Sequence, residues 1–285
     1  MTGLPRSGSE EASGDIMDLT ADHASEVSRG ERFEFGANWV RFLKVLNNDR
    51  IEQAENSLKE MLRVPDLAGK RFLNVGSGSG LFSLAARRLG ASVYSFDYDP
   101  QSVACTQEIK RRYFPDDSGW TVEQASVLDR EHLAKLGQFD VVYSWGVLHH
   151  TGAMWQALGN VASLVAGGGL LFIAIYNDEG FKSRYWHAIK RAYVGIKLLR
   201  WPLVILHMPY PFLPSLVFRI ISGRLKERRG MSFWHDIVDW IGGYPFEVAT
   251  PGTILDFYRV RGFRLDTLKT TNRSGCNQFV FVKEP

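Results

Sequence analysis

Residues 70–100 read KRFLNVGSGSGLFSLAARRLGASVYSFDYDP, and this stretch decides the fold class. An apolar run at 71–75 is followed by a glycine-rich turn, a segment with helical spacing at 80–89 and a second apolar run at 92–97. A strand, a tight turn, a helix and a second strand in this order are typical of a βαβ unit. The stretch therefore predicts two neighbouring strands of a parallel sheet.

The alternation of helices and strands continues towards the C-terminus. Apolar patterning predicts helices over 101–113 and 153–165 and strands over 120–127, 139–145 and 169–177. Thr250 as a helix cap and Pro251 at the first helical position predict a further helix. Two apolar runs joined by NRSGC then predict a hairpin. The fold class is therefore α/β, with a parallel, doubly wound sheet.

Three segments lie outside this alternation. Residues 1–30 contain six acids, two arginines and many Ser and Gly, which predicts a disordered leader. They lack the pattern of a secretory signal, which favours a cytoplasmic protein. Residues 31–68 show helical spacing in two helices broken near Asn47–Asn48, and residues 179–249 predict an α-rich insertion after the fifth strand. The remaining units are a core at 69–178 and a C-terminal helix and hairpin at 250–285.

The glycine turn and an acid after the second strand predict a cofactor site. The spacing Gly76-x-Gly78-x-Gly80 differs from the dinucleotide fingerprint Gly-x-Gly-x-x-Gly, because position 81 is Leu. Glycines allow a close approach of the backbone to a ligand. Asp97 ends the second strand, where a carboxylate can accept hydrogen bonds from ribose hydroxyls.

Four motifs occur in order and at ordinary spacing: FLNVGSGSGLFSLAA, VYSFDYDP, VEQASVLD and FDVVYSWGVLHH. Over about residues 70–178 the chain therefore resembles the class I S-adenosylmethionine-dependent methyltransferases. The helix and hairpin after Thr250 match the usual ending of that family. The resemblance implies a Rossmann-like, seven-stranded, mostly parallel sheet with a terminal antiparallel hairpin, an N-terminal helical lid at 31–68, and S-adenosylmethionine as cofactor.

The resemblance also implies roles for individual residues. The glycines would pass under the methionine part of the cofactor, Asp97 would hold its ribose and Tyr98 would lie beside its adenine. Asn74 stands where the family usually has Asp or Glu, so it keeps the hydrogen-bonding geometry without the charge. The implied cofactor-binding residues are Asn74, Gly76, Ser77, Gly78, Gly80, Asp97, Tyr98, Ser126, Val127, Ser144 and Trp145, with Phe35, Asn38 and Trp39 as lid residues.

Two adjacent histidines, His149 and His150, follow the predicted fourth strand at the edge of the sheet where ligands bind in open α/β folds. Transfer of a methyl group to oxygen benefits from a histidine that accepts or orients the hydroxyl proton. We expect one of the two to act as a base or an acceptor-orienting group, and capping of the next helix is the alternative.

Residues of the insertion are expected to support these histidines. His235 and Asp236 are candidate catalytic partners, and Tyr244 or Glu247 could also reach the pocket. His149, His235 and Asp236 would form a metal site if a divalent metal or iron is present. A salt link on a helix is the alternative interpretation of the 235–239 region.

The acceptor is predicted to be a small molecule, with methylation at oxygen favoured over carbon or nitrogen. The chain lacks an Asp/Asn-Pro-Pro-Tyr/Phe motif after the fourth strand, which argues against nucleic acid as a substrate. Residues 181–230 carry eleven Lys and Arg and one acid. This charge indicates a solvated helix face, a lid over an apolar pocket or contact with an anionic membrane surface. A non-catalytic cofactor-binding protein and an enzyme acting on RNA remain as alternative hypotheses.

Overall fold

The computed structural model describes residues 9–207, 240–271 and 275–285, with side chains from residue 19 onwards. Seven strands form one sheet in the order β3-β2-β1-β4-β5-β7-β6. Strands β1 to β5 pair in parallel, and β7 pairs antiparallel with both β5 and β6. The predicted α/β fold with a mostly parallel seven-stranded sheet is confirmed. The strands are β1 (Arg71–Val75), β2 (Ser92–Asp97), β3 (Trp120–Gln124), β4 (Phe139–Trp145), β5 (Val165–Tyr176), β6 (Phe263–Lys269) and β7 (Cys276–Lys283).

Helices cover both faces of the sheet and precede it at the N-terminus. They are α1 (Ser9–Arg29), α2 (Gly36–Phe42), α3 (Asn48–Leu62), α4 (Leu81–Arg88), α5 (Pro100–Tyr113), α6 (Arg130–Leu136), α7 (Met154–Ser163), α8 (Phe181–Gly195), α9 (Arg200–His207) and α10 (Pro251–Arg259), with 3₁₀ turns at Leu148–His150 and Lys197–Leu199. Within the described residues, no helix has both the length and the apolar character needed to cross a membrane.

The alternation of side chains along the strands divides the core into two layers. Phe72 packs with α3, α4 and α5 on one face of the sheet, whereas Leu73 and Val75 pack with α6, α7 and α10 on the other. Successive residues of a strand point to opposite faces, so an apolar run such as 71–75 must be covered on both sides. Because β1 pairs in parallel with both β2 and β4, the carboxyl ends of these three strands lie side by side at one end of the sheet.

The described part of the insertion begins with a helical hairpin. Trp186 and Tyr193 on α8 and Val204 on α9 form a third apolar cluster with Ile241 and Phe246. The Tyr185 hydroxyl contacts the His207 Nε2 at 2.6 Å and fixes the start of α8 against the end of α9. Residues 208–239, which include the predicted site residues His235 and Asp236, lie outside the described residues.

The N-terminal segment differs from the sequence-based expectation. Residues 1–30 were expected to be disordered, but Ser9–Arg29 forms a helix of 21 residues, and His23 is only 5% exposed. The described side chains of α1 contact polar groups beside the sheet, since Thr20 Oγ1 donates to Gln124 Oε1 at 2.7 Å and His23 faces Asp99. Polar contacts of this kind leave little trace in hydrophobic periodicity.

Other differences concern the bounds of elements. The strand expected over 120–127 ends at Gln124, and the helix expected over 153–165 spans Met154–Ser163. Ile196 does not continue α8, because its backbone is extended with φ −123° and ψ 93°. Helix α6 was not predicted from its seven residues. The predicted cap of α10 is present, with the Thr250 side chain accepting a hydrogen bond from the Thr253 backbone N–H.

Candidate functional site

The glycine turn after β1 lies directly against the turn after β4. Gly76, Gly78 and Gly80 have φ values of +74°, +55° and +82°, which L-residues with side chains rarely adopt. A Cβ at Gly76 would lie 2.4 Å from a methyl carbon of Val147. The two turns that the sequence assigns to cofactor and acceptor therefore lie directly against each other.

The Trp39 side chain on α2 covers the middle of the glycine turn. The position of a Cβ at Gly78 would lie 3.1–3.3 Å from the Trp39 indole. Nearby, the Phe35 ring lies 4.9 Å from the His150 ring, between ring centroids. The expected lid segment thus spans from the glycine turn to the histidines. A lid in this place excludes water from both.

Asn74 lies at the end of β1 and is 2% exposed. Its Nδ2 donates to Ser83 Oγ at 2.8 Å, while its Oδ1 has no hydrogen-bond partner among the described residues. An unpaired buried carbonyl oxygen is costly and is uncommon in folded proteins. Such an oxygen is suited to accept a hydrogen bond from a ligand donor such as the ammonium group of an amino acid.

Asp97 ends β2 and binds two backbone N–H groups. Its Oδ2 accepts from Gly78 N at 2.8 Å and its Oδ1 accepts from Asp99 N at 3.0 Å. Burial raises the pKa of Asp97 to about 7, although both hydrogen bonds act in the opposite direction. The carboxylate is therefore held in place at the turn by the backbone on either side of it.

Asp99 joins three helices next to this carboxylate. Its side chain caps α5 by accepting from Gln101 N at 2.8 Å, and it also accepts from Gly36 N of α2 at 2.7 Å. The His23 Nε2 of α1 lies 3.7 Å from Asp99 Oδ2. Burial lowers the pKa of His23, and the charge of Asp99 opposes that effect. One buried carboxylate thus connects α1, α2 and α5.

Helix α1 covers Tyr98, the residue expected beside the adenine. The His23 ring packs edge-on against the Tyr98 ring, with 5.4 Å between centroids, and the Arg32 guanidinium lies 4.9 Å from the same ring. The Tyr98 hydroxyl donates to Glu26 Oε1 at 3.3 Å, and burial raises the pKa of Tyr98 to about 12. The sequence interpretation missed these three partners of Tyr98. Their only signal was the spacing of four between Leu19, His23 and Val27.

Three other expected cofactor residues have hydrogen-bond partners, and a fourth, Val127, lies in the core. Ser77 Oγ shares a hydrogen bond of 2.9 Å with Thr106 Oγ1, and Ser144 Oγ donates to Val75 O at 3.0 Å. Ser126 Oγ accepts from Leu128 N at 3.2 Å, and Val127 is 7% exposed within the core. Ser144 therefore links β4 to the end of β1, and Val127 contributes to the core. Trp145 is half-buried at the carboxyl end of β4.

The histidine turn is held by the segment before α10. His150 Nδ1 contacts Pro245 O at 2.6 Å, and Glu247 N donates to His149 O at 2.9 Å. The Glu247 Oε2 in turn accepts from Met154 N at the start of α7, so Glu247 anchors the turn. Because a carbonyl only accepts, His150 Nδ1 carries the proton and Nε2 keeps its lone pair.

Both imidazoles are held neutral. Burial lowers the pKa of His150 to about 3, with Lys190 and Arg32 adding to the decrease and the Pro245 carbonyl opposing it. Burial also lowers the pKa of His149 well below its ordinary value. His149 is fully buried, and neither ring nitrogen makes a hydrogen bond of normal geometry within the described residues. The two ring centroids lie 4.5 Å apart.

A buried lysine lies behind the histidines. Lys190 on α8 has no exposed surface, and its Nζ donates to Trp240 O and lies 4.7 Å and 4.9 Å from the Trp240 and Phe246 ring centroids. The Tyr176 ring packs against the same Trp240 and Phe246 rings, at 5.7 Å and 5.1 Å between centroids, and lies 4.2 Å from the His149 ring. The sequence interpretation did not single out Lys190 from the other cations of residues 181–230. Its position four residues after Trp186 puts both on one helix face, and that was the available signal.

The metal hypothesis is not tested by the structure. His235 and Asp236 lie outside the described residues, and the part of the chain that the structure describes holds no cluster of three or more His, Cys, Asp or Glu side chains arranged to bind a metal ion.

Comparison with known sequences identifies similar proteins. A family model described as "Methyltransferase domain" matches residues 46–224. The ubiquinone biosynthesis O-methyltransferase of Agrobacterium fabrum is 30% identical over 174 residues, which cover 56% of this chain and 67% of that protein. The enzyme of the same name from Rhizobium etli is 30% identical over 129 residues, which cover 45% of this chain and 50% of that protein. The chain thus spans about half the length of the Rhizobium etli protein.

Solved structures share the fold. The magnesium protoporphyrin IX methyltransferase of Synechocystis, solved with bound S-adenosylmethionine, superposes with a TM-score of 0.51 at 12% identity and covers 99% of this chain and 100% of that chain. An O-methyltransferase family protein from Burkholderia thailandensis gives a TM-score of 0.52 at 14% identity over 96% of this chain and 70% of that chain. At these identities the similarity concerns the fold.

Proposed function

Because this chain belongs to the methyltransferase domain family, we propose that it transfers a methyl group from S-adenosylmethionine to a hydroxyl oxygen of a small molecule. The contact between the glycine turn and the turn after β4, made by Gly76 and Val147, is the observation that carries the proposal. Through this contact, the residues expected to hold the cofactor lie next to the residues expected to meet the acceptor. The name of the curated relatives, ubiquinone biosynthesis O-methyltransferase, supports oxygen as the acceptor atom.

The residues at the end of β1 and β2 fit the cofactor. The glycine turn offers a backbone that a side chain would block, and Asp97 offers two oxygens for ribose hydroxyls. The unpaired Oδ1 of Asn74 suits the ammonium group of the cofactor. When bound, S-adenosylmethionine supplies a methyl group on a positively charged sulfur. Trp39 and Phe35 then exclude water from that group.

The histidine turn orients the acceptor hydroxyl rather than removing its proton. A ring with a pKa of about 3 is a poor general base for a hydroxyl at neutral pH, because the best base has a pKa near the working pH. A neutral His150 instead accepts a hydrogen bond at Nε2 and holds the hydroxyl oxygen in line. Correct placement of two reacting groups accounts for a large share of such a rate enhancement. An acceptor whose hydroxyl is acidic, such as a phenol, suits this arrangement, because its proton passes to solvent as the oxygen–methyl bond forms and the methyl–sulfur bond breaks.

The experiment measures release of S-adenosylhomocysteine with a metabolite extract and with a panel of phenols. We expect His150→Phe to retain cofactor affinity, because the ring contacts with Phe35 remain, and to lose turnover by roughly a hundredfold. Wild-type turnover in both His150→Phe and His149→Ala would remove the histidine role. Cofactor binding by calorimetry without any product would favour the non-catalytic alternative.

A further inference from the structure

Large apolar side chains are concentrated on the exposed side of the α8–α9 hairpin. In the described part of the chain, fourteen large apolar residues are exposed, and eight of them lie between Phe181 and Leu206. We call six of them the hairpin face: Phe181 (73% exposed), Ile196 (50%), Leu198 (86%), Trp201 (64%), Ile205 (66%) and Leu206 (72%). A concentration of this kind on a protein surface marks an interaction site.

The hairpin face is held outward by packing on the opposite side of α9. Val204 and His207 are 2% and 5% exposed, and His207 contacts the Tyr185 hydroxyl at 2.6 Å. The Trp186 ring also lies 5.5 Å from the His207 ring, between centroids. Trp201 and Ile205, four residues apart on α9, therefore cannot turn inward without breaking these contacts.

The charged residues within the hairpin are all Lys or Arg, and Lys182 pairs with Glu179 just before α8 at 3.8 Å. Between Phe181 and His207 the sequence contains six Lys and Arg and no Asp or Glu. Lys182, Arg184, Arg191 and Lys197 are exposed, whereas Lys190 is buried. Apolar side chains beside cations, with a Trp among them, match the interface of an anionic bilayer. Exposed Leu and Ile do not contribute to phosphate contacts with RNA, so a lipid surface is favoured over nucleic acid.

We propose that the hairpin face docks on the surface of a bilayer that contains anionic lipids. Trp201, Ile205 and Leu206 enter the boundary between headgroups and acyl chains, and the surrounding cations contact the headgroups. The contact is peripheral and requires neither cofactor nor acceptor. A failure of methyl transfer and a failure of docking are therefore distinguishable.

The test is co-sedimentation of the full chain with vesicles of phosphatidylcholine alone or mixed with phosphatidylglycerol. We expect binding to the mixed vesicles only, weakened by salt. Lys197→Gln should lower the partition coefficient about fivefold, as is typical for one cation near an anionic surface. The double variant Leu198→Glu with Ile205→Glu should lower it at least tenfold, because it places two charges in the apolar contact.

The matched control is Val260→Glu, which changes a residue that is 74% exposed beyond α10. Circular dichroism of each variant verifies the fold. Retained binding by the double variant, or an equal loss in Val260→Glu, would overturn the proposal. So would the absence of binding to anionic vesicles. If wild-type protein dimerises and the double variant is monomeric while neither binds vesicles, the face serves self-association and the proposal is wrong.

Discussion

Replacement of Asp97 by Asn should free the ligand-free protein from a loss of stability that the wild type undergoes as the pH rises, and it should weaken cofactor binding. Burial raises the pKa of Asp97 from 3.8 to about 7. Between these two values the folded protein keeps a proton that the unfolded chain has released. The free energy of unfolding of the wild type therefore falls as the pH rises through this window and levels off above about pH 7. The Asn variant has no proton to lose and escapes this decrease.

The magnitude follows from the two pKa values. From pH 5 to pH 8 the wild type crosses about two pH units below its raised pKa, which amounts to about 3 kcal/mol at 1.4 kcal/mol per unit. Asn can satisfy only one of the two N–H groups of Gly78 and Asp99, which costs about 1–3 kcal/mol at every pH. That cost is constant, so the change with pH is the quantity to measure. Loss of charge-assisted bonds to the ribose should weaken S-adenosylhomocysteine binding roughly a hundredfold.

Urea unfolding of both proteins at pH 5 and pH 8 gives this difference, and calorimetry gives the affinity. Asp256→Asn is the control, because the Asp256 side chain is 68% exposed. All other titrating groups are common to variant and wild type and cancel. A stability difference that stays constant within about 0.5 kcal/mol between the two pH values would refute the reasoning. Unchanged affinity in the Asn variant would refute the role of Asp97 in binding the ribose.

Two further predictions concern the lid and the buried cation. Trp39→Ala should weaken binding of S-adenosylhomocysteine roughly tenfold and speed its dissociation, because the indole covers Gly78. Stopped-flow measurement of the dissociation rate checks this, with Val40→Ala on the same helix as the control. Equal dissociation rates in both variants would contradict the prediction. Lys190→Met should raise the pKa of His150, since the positive charge of Lys190 contributes to the lowering of that pKa. Histidine proton signals followed by NMR over pH 2.5 to 7 measure the pKa. An unchanged titration would show that the charge of Lys190 does not act on the His150 ring.

The centre of the sheet could be predicted because its signals are local. Strands β1, β2 and β4 agree with the sequence prediction at both ends, since each is an apolar run bounded by a turn. The predicted break between the two N-terminal helices falls at Asn47, whose side chain caps α3. Parallel order then follows from alternation with helices. This local information is sufficient to place the glycine turn, Asp97 and the histidines at one edge.

The remainder of the site depends on contacts between distant parts of the chain. His23 reaches Asp99 across 76 positions, and Lys190 reaches Trp240 across 50. Burial of a polar or charged residue is decided by its partners, which hydrophobic periodicity does not encode. Composition therefore predicted disorder where α1 forms a helix, and it did not distinguish the buried Lys190 from its exposed neighbours. Both differences have the same physical reason.

Asp99 connects three helices beside the candidate site, and the lifetime of these contacts matters for turnover. Its carboxylate binds the first residue of α2, caps α5 and faces His23 of α1, two positions after the carboxylate that would hold the ribose. If Trp39 and Phe35 cover the bound cofactor as proposed, exchange of spent for fresh cofactor requires the contacts of Asp99 to open, whatever the strength of the contacts to the cofactor itself. Many enzymes are limited by such an opening step rather than by chemistry. In this chain the release of Gly36 from Asp99 would set the interval between one methyl transfer and the next.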